Sequence, residues 1–271
     1  MQNNPINHSF CFWPCPIDKI ENPLAFFKQC KAMGYTGIEM VTPQFRPIVR
    51  EAGLYIVNTN GPGMEDGLND LSNHESLIPK LQENIRLTAK DRIKSNIIFT
   101  GNRKNISRTD GIRNCVKGIN ALIPVAEEHG VTLLLELLGE HDHPGYQGSS
   151  LEFCLEIHDK VGSKYLKLLY DVYHMEHMKA NVEKELLDNI SIIGHIHGAT
   201  TPNRSSIDQS RTVNYPELIQ KAFDKGFTGY FGHEFVPQKD ITQELAASIK
   251  SFEYLTNTNN PKKSKKPASI I

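Results

Sequence analysis

Four ionisable residues in the second half of the chain stand at or near the ends of apolar, β-branched or aromatic runs. They are Glu136 in LLLELL, Asp171 after LKLLY, His197 closing ISIIGHIH and Glu234 in YFGHEFV. Taken singly, each has a plain structural reading. A strand Glu can face solvent, an Asp after a strand commonly caps the next helix, and a lone His is commonly a satisfied core side chain. Together they read differently, because they recur about once per strand-plus-helix unit. Three carboxylates and an imidazole gathered at a low-dielectric site would repel and desolvate one another. A divalent cation is the simple way to neutralise them. An oxygen-rich set with one nitrogen suits Mn²⁺ or Mg²⁺, admits Co²⁺ and argues against structural zinc.

The histidines are unevenly placed, with eight of the eleven at 141, 143, 158, 174, 177, 195, 197 and 233. His158 and His177 read as surface residues. His174, three positions after Asp171 and at a strand exit, is better placed to face a ligand. No GxSxG elbow or GxxxxGK[ST] loop is present, and the short GPG at 61–63 reads as a turn. Cys11 and Cys15 bracket Trp13 without any role that the sequence assigns beyond burial.

The elements that must position these residues alternate along the chain. Short runs without clean polar alternation, at 9–13, 37–41, 54–58, 96–100, 131–138, 166–173, 190–197 and 228–236, have the character of strands buried on both faces of a parallel sheet. Helix-like stretches at 23–34, 113–130, 151–162 and 216–226 each end in Gly, the expected left-handed stop. Eight strand–helix units in 271 residues point to an α/β protein with a single-domain (β/α)₈ TIM barrel over residues 1–255. A doubly wound open sheet is the alternative the pattern allows. In a barrel, the active site lies at the C-terminal ends of the strands. The polar, Lys-rich stretch at 256–271 reads as a solvated tail.

Composition narrows the partners. With 30 basic and 31 acidic side chains, the net charge of −1 gives no general attraction to nucleic acid or to an anionic membrane. No run approaches a membrane span, and the first fifteen residues lack the charged start and apolar core of a secretory signal. Five scattered cysteines fit reduced thiols. A soluble, cytoplasmic chain acting on a small molecule is expected, with a homo-oligomer among the allowed states.

Four strings carry a family resemblance: LYDVYHM (169–175), LELLGEHDHPGY (135–146), GHIHGATTPNR (194–204) and GHEFVPQ (232–238). They resemble hydroxypyruvate isomerases, within the xylose isomerase-like TIM-barrel group that also holds ketose 3-epimerases and endonuclease IV. The resemblance runs from GYTGIEMVTP (34–43) to Gln238, with YDVYHM its most specific piece and GIEMV generic. It implies a divalent metal held by Glu136, Asp171, His197 and Glu234. It further implies substrate contacts from Asp142, His174 and Arg204, with Glu136 and Glu234 doubling as the acid/base pair.

The reaction implied is a proton shift beside a carbonyl, taking hydroxypyruvate to tartronate semialdehyde. Arg204 suits a terminal carboxylate, which its planar fork grips bidentately. Three departures bear on the substrate and leave the metal set intact. His197 stands where hydroxypyruvate isomerases usually carry Gln and ketose 3-epimerases carry His. Thr59-Asn60 replaces a His-Asn pair, and Leu137 and Gly139 replace Pro and Asn. A 3-epimerase of free ketoses is therefore the alternative. An endonuclease IV-like enzyme would need a basic, aromatic groove and a richer His/Asp set. A non-catalytic sugar-binding relative would have lost the four-residue set.

Overall fold

In the computed structural model, which describes residues 6–253, the apolar runs become nine parallel strand segments. These are β1 (His8–Cys11), β2 (Gly37–Glu39), β3 (Tyr55–Ile56), β4 (Asn58–Asn60), β5 (Ser95–Ile98), β6 (Thr132–Glu136), β7 (Leu166–Asp171), β8 (Ile193–Gly198) and β9 (Phe231–His233). The pairing order runs β3-β2-β1-β9-β8-β7-β6-β5-β4. Only Val57 separates β3 from β4, so the two segments share one position, pairing with β2 on one side and β5 on the other. Nine segments thus fill eight positions, and the sheet curls into the expected TIM barrel.

Nine α-helices alternate with the strands among the described residues. They are α1 (Pro23–Met33), α2 (Arg46–Glu51), α3 (Leu71–Lys90), α4 (Arg108–His129), α5 (Leu151–Val161), α6 (Val172–His177), α7 (Val182–Asp188), α8 (Tyr215–Asp224) and α9 (Ile241–Lys250). Gly34, Gly130 and Gly162 cap α1, α4 and α5 in the left-handed region, as their positions predict. Helix α8 stops earlier than expected, at Asp224, leaving Gly226 (φ 97°) to turn the chain just beyond it. Helix α4 begins earlier than expected, because the Ser107 hydroxyl accepts the Asp110 amide and starts a turn before residue 113. The run at 166–173 stays extended only to Asp171, whose side chain starts α6. The tail at 256–271 lies outside the described residues.

Alternate strand residues face the helices or the bore. On the helix side, Leu133, Leu135, Leu168, Tyr170 and Ile196 belong to one large buried cluster. Around β1–β3, Phe10, Phe27, Ile38, Val49 and Leu245 form a second. The bore is divided. Ile97, Leu134 and Leu169 fill it on the β5–β7 side, whereas Ser9, Glu39, His195 and His197 are the buried groups around β1, β2 and β8. No helix among the described residues is long and apolar enough to cross a membrane.

Candidate active site

Strand register brings the four ionisable groups together. Glu136 ends β6, Asp171 ends β7 opposite His197 of β8, and Glu234 follows β9 directly. One ligand-capable atom from each lies within 4.8 Å of the others, and all four residues are buried. His197 Nδ1 is 3.3 Å from Glu136 Oε1 and 3.1 Å from Glu234 Oε2.

Asp171 has both of the roles that its position allows. Its Oδ1 accepts the amides of Tyr173 (2.8 Å) and His174 (3.4 Å), capping α6. Its Oδ2 is buried with no hydrogen-bond partner. The cap turns one oxygen outward along the helix and leaves the other facing the cluster.

The cluster's electrostatics are those of too many anions in too little water. Burial, reinforced by the charge of Glu234, pushes the Asp171 carboxyl up to about 7. Burial also raises Glu136. Burial would raise Glu234 as well, but the charges of His197 and Arg204 outweigh it and hold that carboxyl well below its ordinary value. Burial disfavours charge on His197, yet Glu234 and Glu39 draw it well above the usual imidazole range. The group therefore recruits positive charge from its own side chains. Two buried atoms that face the centre, Asp171 Oδ2 and His197 Nδ1, make no hydrogen bond. Buried polar atoms are rarely left so. With three carboxylates and one imidazole as donors, the site fits a divalent cation.

Arg204 sits inside this cluster. Its Nη2 donates to Glu234 Oε2 at 2.6 Å and lies 3.7 Å from Asp171 Oδ2, while its Nε donates to the Glu234 carbonyl at 3.2 Å. The guanidinium is packed against the Trp13 and Tyr173 rings, at 5.4 and 5.0 Å from their centroids. Asp142 stands further out, 3.6 Å from Arg204 Nη1. His174 is fully buried beneath, with both ring nitrogens unpaired and Nε2 3.6 Å from Asp171 Oδ2. Burial keeps its imidazole neutral.

Next to these groups opens a cavity of about 250 Å³, lined by Glu136, Glu234, Arg204, Trp13, Asn60 and His143, with Met40, Met64 and Leu138 as its apolar wall. A larger cavity of about 520 Å³ lies at the opposite, N-terminal end of the strands, among Lys94, Ser95, Thr132 and Lys167, and holds none of the four groups.

Two site residues escape the sequence reading. Trp13 Nε1 donates to Glu234 Oε1 at 2.8 Å, so the Trp between two cysteines belongs to the site. Glu39, in the generic-looking GIEMV, lies 2.8 Å from His197 Nε2. A charged residue in the middle of an apolar run was the available signal.

The chain belongs to the xylose isomerase-like TIM barrel family, whose pattern it matches over residues 27–252. Among curated relatives, it is 34% identical over 120 residues to the 2-oxo-tetronate isomerase of Cupriavidus necator, covering 44% of this chain and 46% of that protein. It is 30% identical over 108 residues to the hydroxypyruvate isomerase of Escherichia coli, covering 40% and 42%. The matched region thus spans less than half the length of either relative. Among solved structures, an AP endonuclease, family 2, from Brucella melitensis superposes with a TM-score of 0.77 over 89% of this chain and 97% of that one. At 19% identity, that likeness speaks for the fold alone.

Proposed function

We propose that this protein is a metal-dependent isomerase acting on a small acid with a carbonyl and a hydroxyl on neighbouring carbons, foremost hydroxypyruvate to tartronate semialdehyde. The observation that carries this reading is the convergence of Glu136, Asp171, His197 and Glu234, with Arg204, at one mouth of the bore. The substrates named for the relatives, hydroxypyruvate and 2-oxo-tetronate, share that carbonyl–hydroxyl pair beside a carboxylate.

Glu136, Asp171, His197 and Glu234 would hold Mn²⁺ or Mg²⁺, with Co²⁺ admitted, and the ion would supply Lewis acidity to the substrate's carbonyl and hydroxyl oxygens. Arg204 grips the substrate carboxylate. In doing so it exchanges a protein carboxylate for the substrate's and frees Glu234 from the ion pair that holds its basicity down. Glu234 then takes the proton from the hydroxyl-bearing carbon. Glu136 returns a proton to the neighbouring carbon, and the substrate's hydroxyl proton passes to the former carbonyl oxygen, which completes the shift. His143, which lines the cavity, rather than the fully buried His174, is the imidazole a substrate oxygen can reach, and Asp142 approaches from the rim beside Arg204.

Arg204 and the substrates named for the relatives favour a short acid over a free ketose. Arg204 in the cavity lining gives an acid's carboxylate a charged partner that a neutral ketose would leave unmatched. Turnover of hydroxypyruvate, 2-oxo-tetronate and a panel of free ketoses, with Mn²⁺ and after chelation, tests the reading. Metal-dependent loss of the acids alone is expected. Turnover of ketoses alone would replace it with the 3-epimerase reading that His197 suggests.

A further inference from the structure

We infer that Glu39 is the positioning residue of this site: its carboxylate takes the His197 Nε2 proton in a hydrogen bond and so presents the Nδ1 lone pair to Glu136, Asp171 and Glu234. The inference rests on the reading above that His197 is a metal ligand.

Glu39 ends β2 and is fully buried. Groups from three other strands meet its two oxygens. Ser9 Oγ of β1 donates to Oε1 at 2.6 Å, and Asn58 Nδ2 of β4 donates to Oε2 at 2.6 Å. From β8, His197 Nε2 is 2.8 Å from Oε2 and His195 Nε2 is 2.9 Å from it. A carboxylate so far from water persists only when paired in this way.

To ligate a cation His197 must give up the extra proton it holds in the ion-free site, and a neutral imidazole carries one N–H and one lone pair, on opposite sides of a rigid ring. His197 has anions on both sides. Glu136 and Glu234 stand 3.3 and 3.1 Å from Nδ1, and Glu39 stands 2.8 Å from Nε2. Left to the first pair, the proton would sit on Nδ1, and the ring would be a donor rather than a ligand. Glu39, already oriented by Ser9 and Asn58, pulls it to Nε2. Carboxylates that hold the far nitrogen of a ligating His in this way fix its tautomer and strengthen the ligand.

The backbone makes room for the contact. To reach β8 from β2, the Glu39 side chain must cross β1 and β9, and at that level β9 carries Gly232, opposite both Ser9 and His197. A Cβ on Gly232 would collide with Glu39 Oε1 and come within 2.8 Å of His197 Cδ2.

The full-length protein and its Glu39→Gln variant, which keeps the shape of the side chain and removes its charge, are titrated with Mn²⁺. The readouts are calorimetry and the fluorescence of Trp13, the single tryptophan and a partner of Glu234. The ¹⁵N spectrum of the Mg²⁺-bound wild type then reports which His197 nitrogen holds the proton. The expected result is one ion per chain, a proton on Nε2, and a loss of affinity of about 10- to 100-fold in Glu39→Gln.

Equal affinity in the variant, or a proton on Nδ1 in the wild type, overturns the inference while leaving the metal reading standing. A wild type that binds no Mn²⁺ overturns both. A second ion per chain, lost in Cys11→Ser, also overturns it, since Cys11 Sγ, Glu39 and His197 form a three-group cluster in which Glu39 would itself be a ligand. If Glu39→Gln does not fold, the wild-type spectrum decides alone.

Discussion

Glu136 and Glu234 have the same side chain and differ in what surrounds them. Burial leaves Glu136 with a raised affinity for a proton, while Arg204, His197 and the Trp13 indole keep Glu234 anionic. In the isomerase proposed above, this difference would give the two carboxyls different parts in the proton shift. Glu136→Gln and Glu234→Gln should each lower kcat by about 10²- to 10⁴-fold with the melting temperature of the metal-free protein retained. Full turnover in either variant would remove it from the proton path. For Arg204 the discriminating change is Arg204→Lys, which keeps the charge and loses the fork. It should raise KM for hydroxypyruvate by roughly tenfold, about the contribution of one charge-assisted hydrogen bond, and an unchanged KM would deny contact with the carboxylate. Trp13 and Glu39 show the limit of reading residue by residue. Each sits in a run whose composition looks structural, and each acquires its meaning from a partner on a distant strand.

At the scale of elements, the β7–α6 junction is where a structural and a chemical task share one side chain. Asp171 caps α6 with one oxygen and faces the cluster with the other. Substitutions should separate the two tasks. Asn caps about as well as Asp, so Asp171→Asn should keep the metal-free stability and lose Mn²⁺ binding. Asp171→Ala should lose both, with the missing cap costing about 1 kcal/mol. Calorimetric Kd values and metal-free denaturation curves read the two effects independently, and equal destabilisation of both variants would contradict the division. The capping reading of Asp171 was legible in the sequence, because Asp follows a strand and precedes a helix. That the second oxygen remains free was not, since it depends on the path of α6 over the barrel mouth.

At the scale of the molecule, stability should respond to protons and to metal. On the outer face of the barrel, His8 Nδ1 lies 3.0 Å from His233 Nε2, and burial lowers the His8 imidazole from its ordinary 6.5 to about 4. A folded-state value below the unfolded one means that the unfolded chain takes up the proton first as pH falls. The stability tied to keeping His8 neutral is therefore fully present above about pH 6.5 and is lost progressively as pH drops towards 4. Complete loss amounts to roughly 3 kcal/mol. Urea denaturation of the wild type and His8→Phe between pH 8 and 5 checks this. The variant should start less stable, with His233 Nε2 left without its partner while Nδ1 keeps the Tyr35 hydroxyl, and fall less steeply, whereas parallel curves would exclude His8 as the source. Metal acts in the opposite sense. Mn²⁺ at a hundred times its Kd should stabilise by about 2.7 kcal/mol, a rise of roughly 5–10 °C in Tm for a domain of this size. Chelation should reverse the rise, and Glu136→Gln should blunt it.

The sequence by itself determined the local and periodic features. Buried strand runs, glycine-stopped helices and one ionisable residue per late strand were legible because they depend on neighbours a few positions away and on the repeat of the βα unit. From these followed the barrel and the set of Glu136, Asp171, His197 and Glu234. Tertiary structure alone decided which residues meet across the bore. Pairing of the first strand, β1, with the last, β9, brings Glu39 of β2 against His197 of β8, 158 positions later in the chain, and Trp13 against Glu234, 221 positions later. It also divides the bore into an apolar side and a polar one, and it sets Arg204 between two aromatic rings. Strand order and register fix those contacts, and no local pattern encodes which residue will lie beside which once the sheet has curled round on itself.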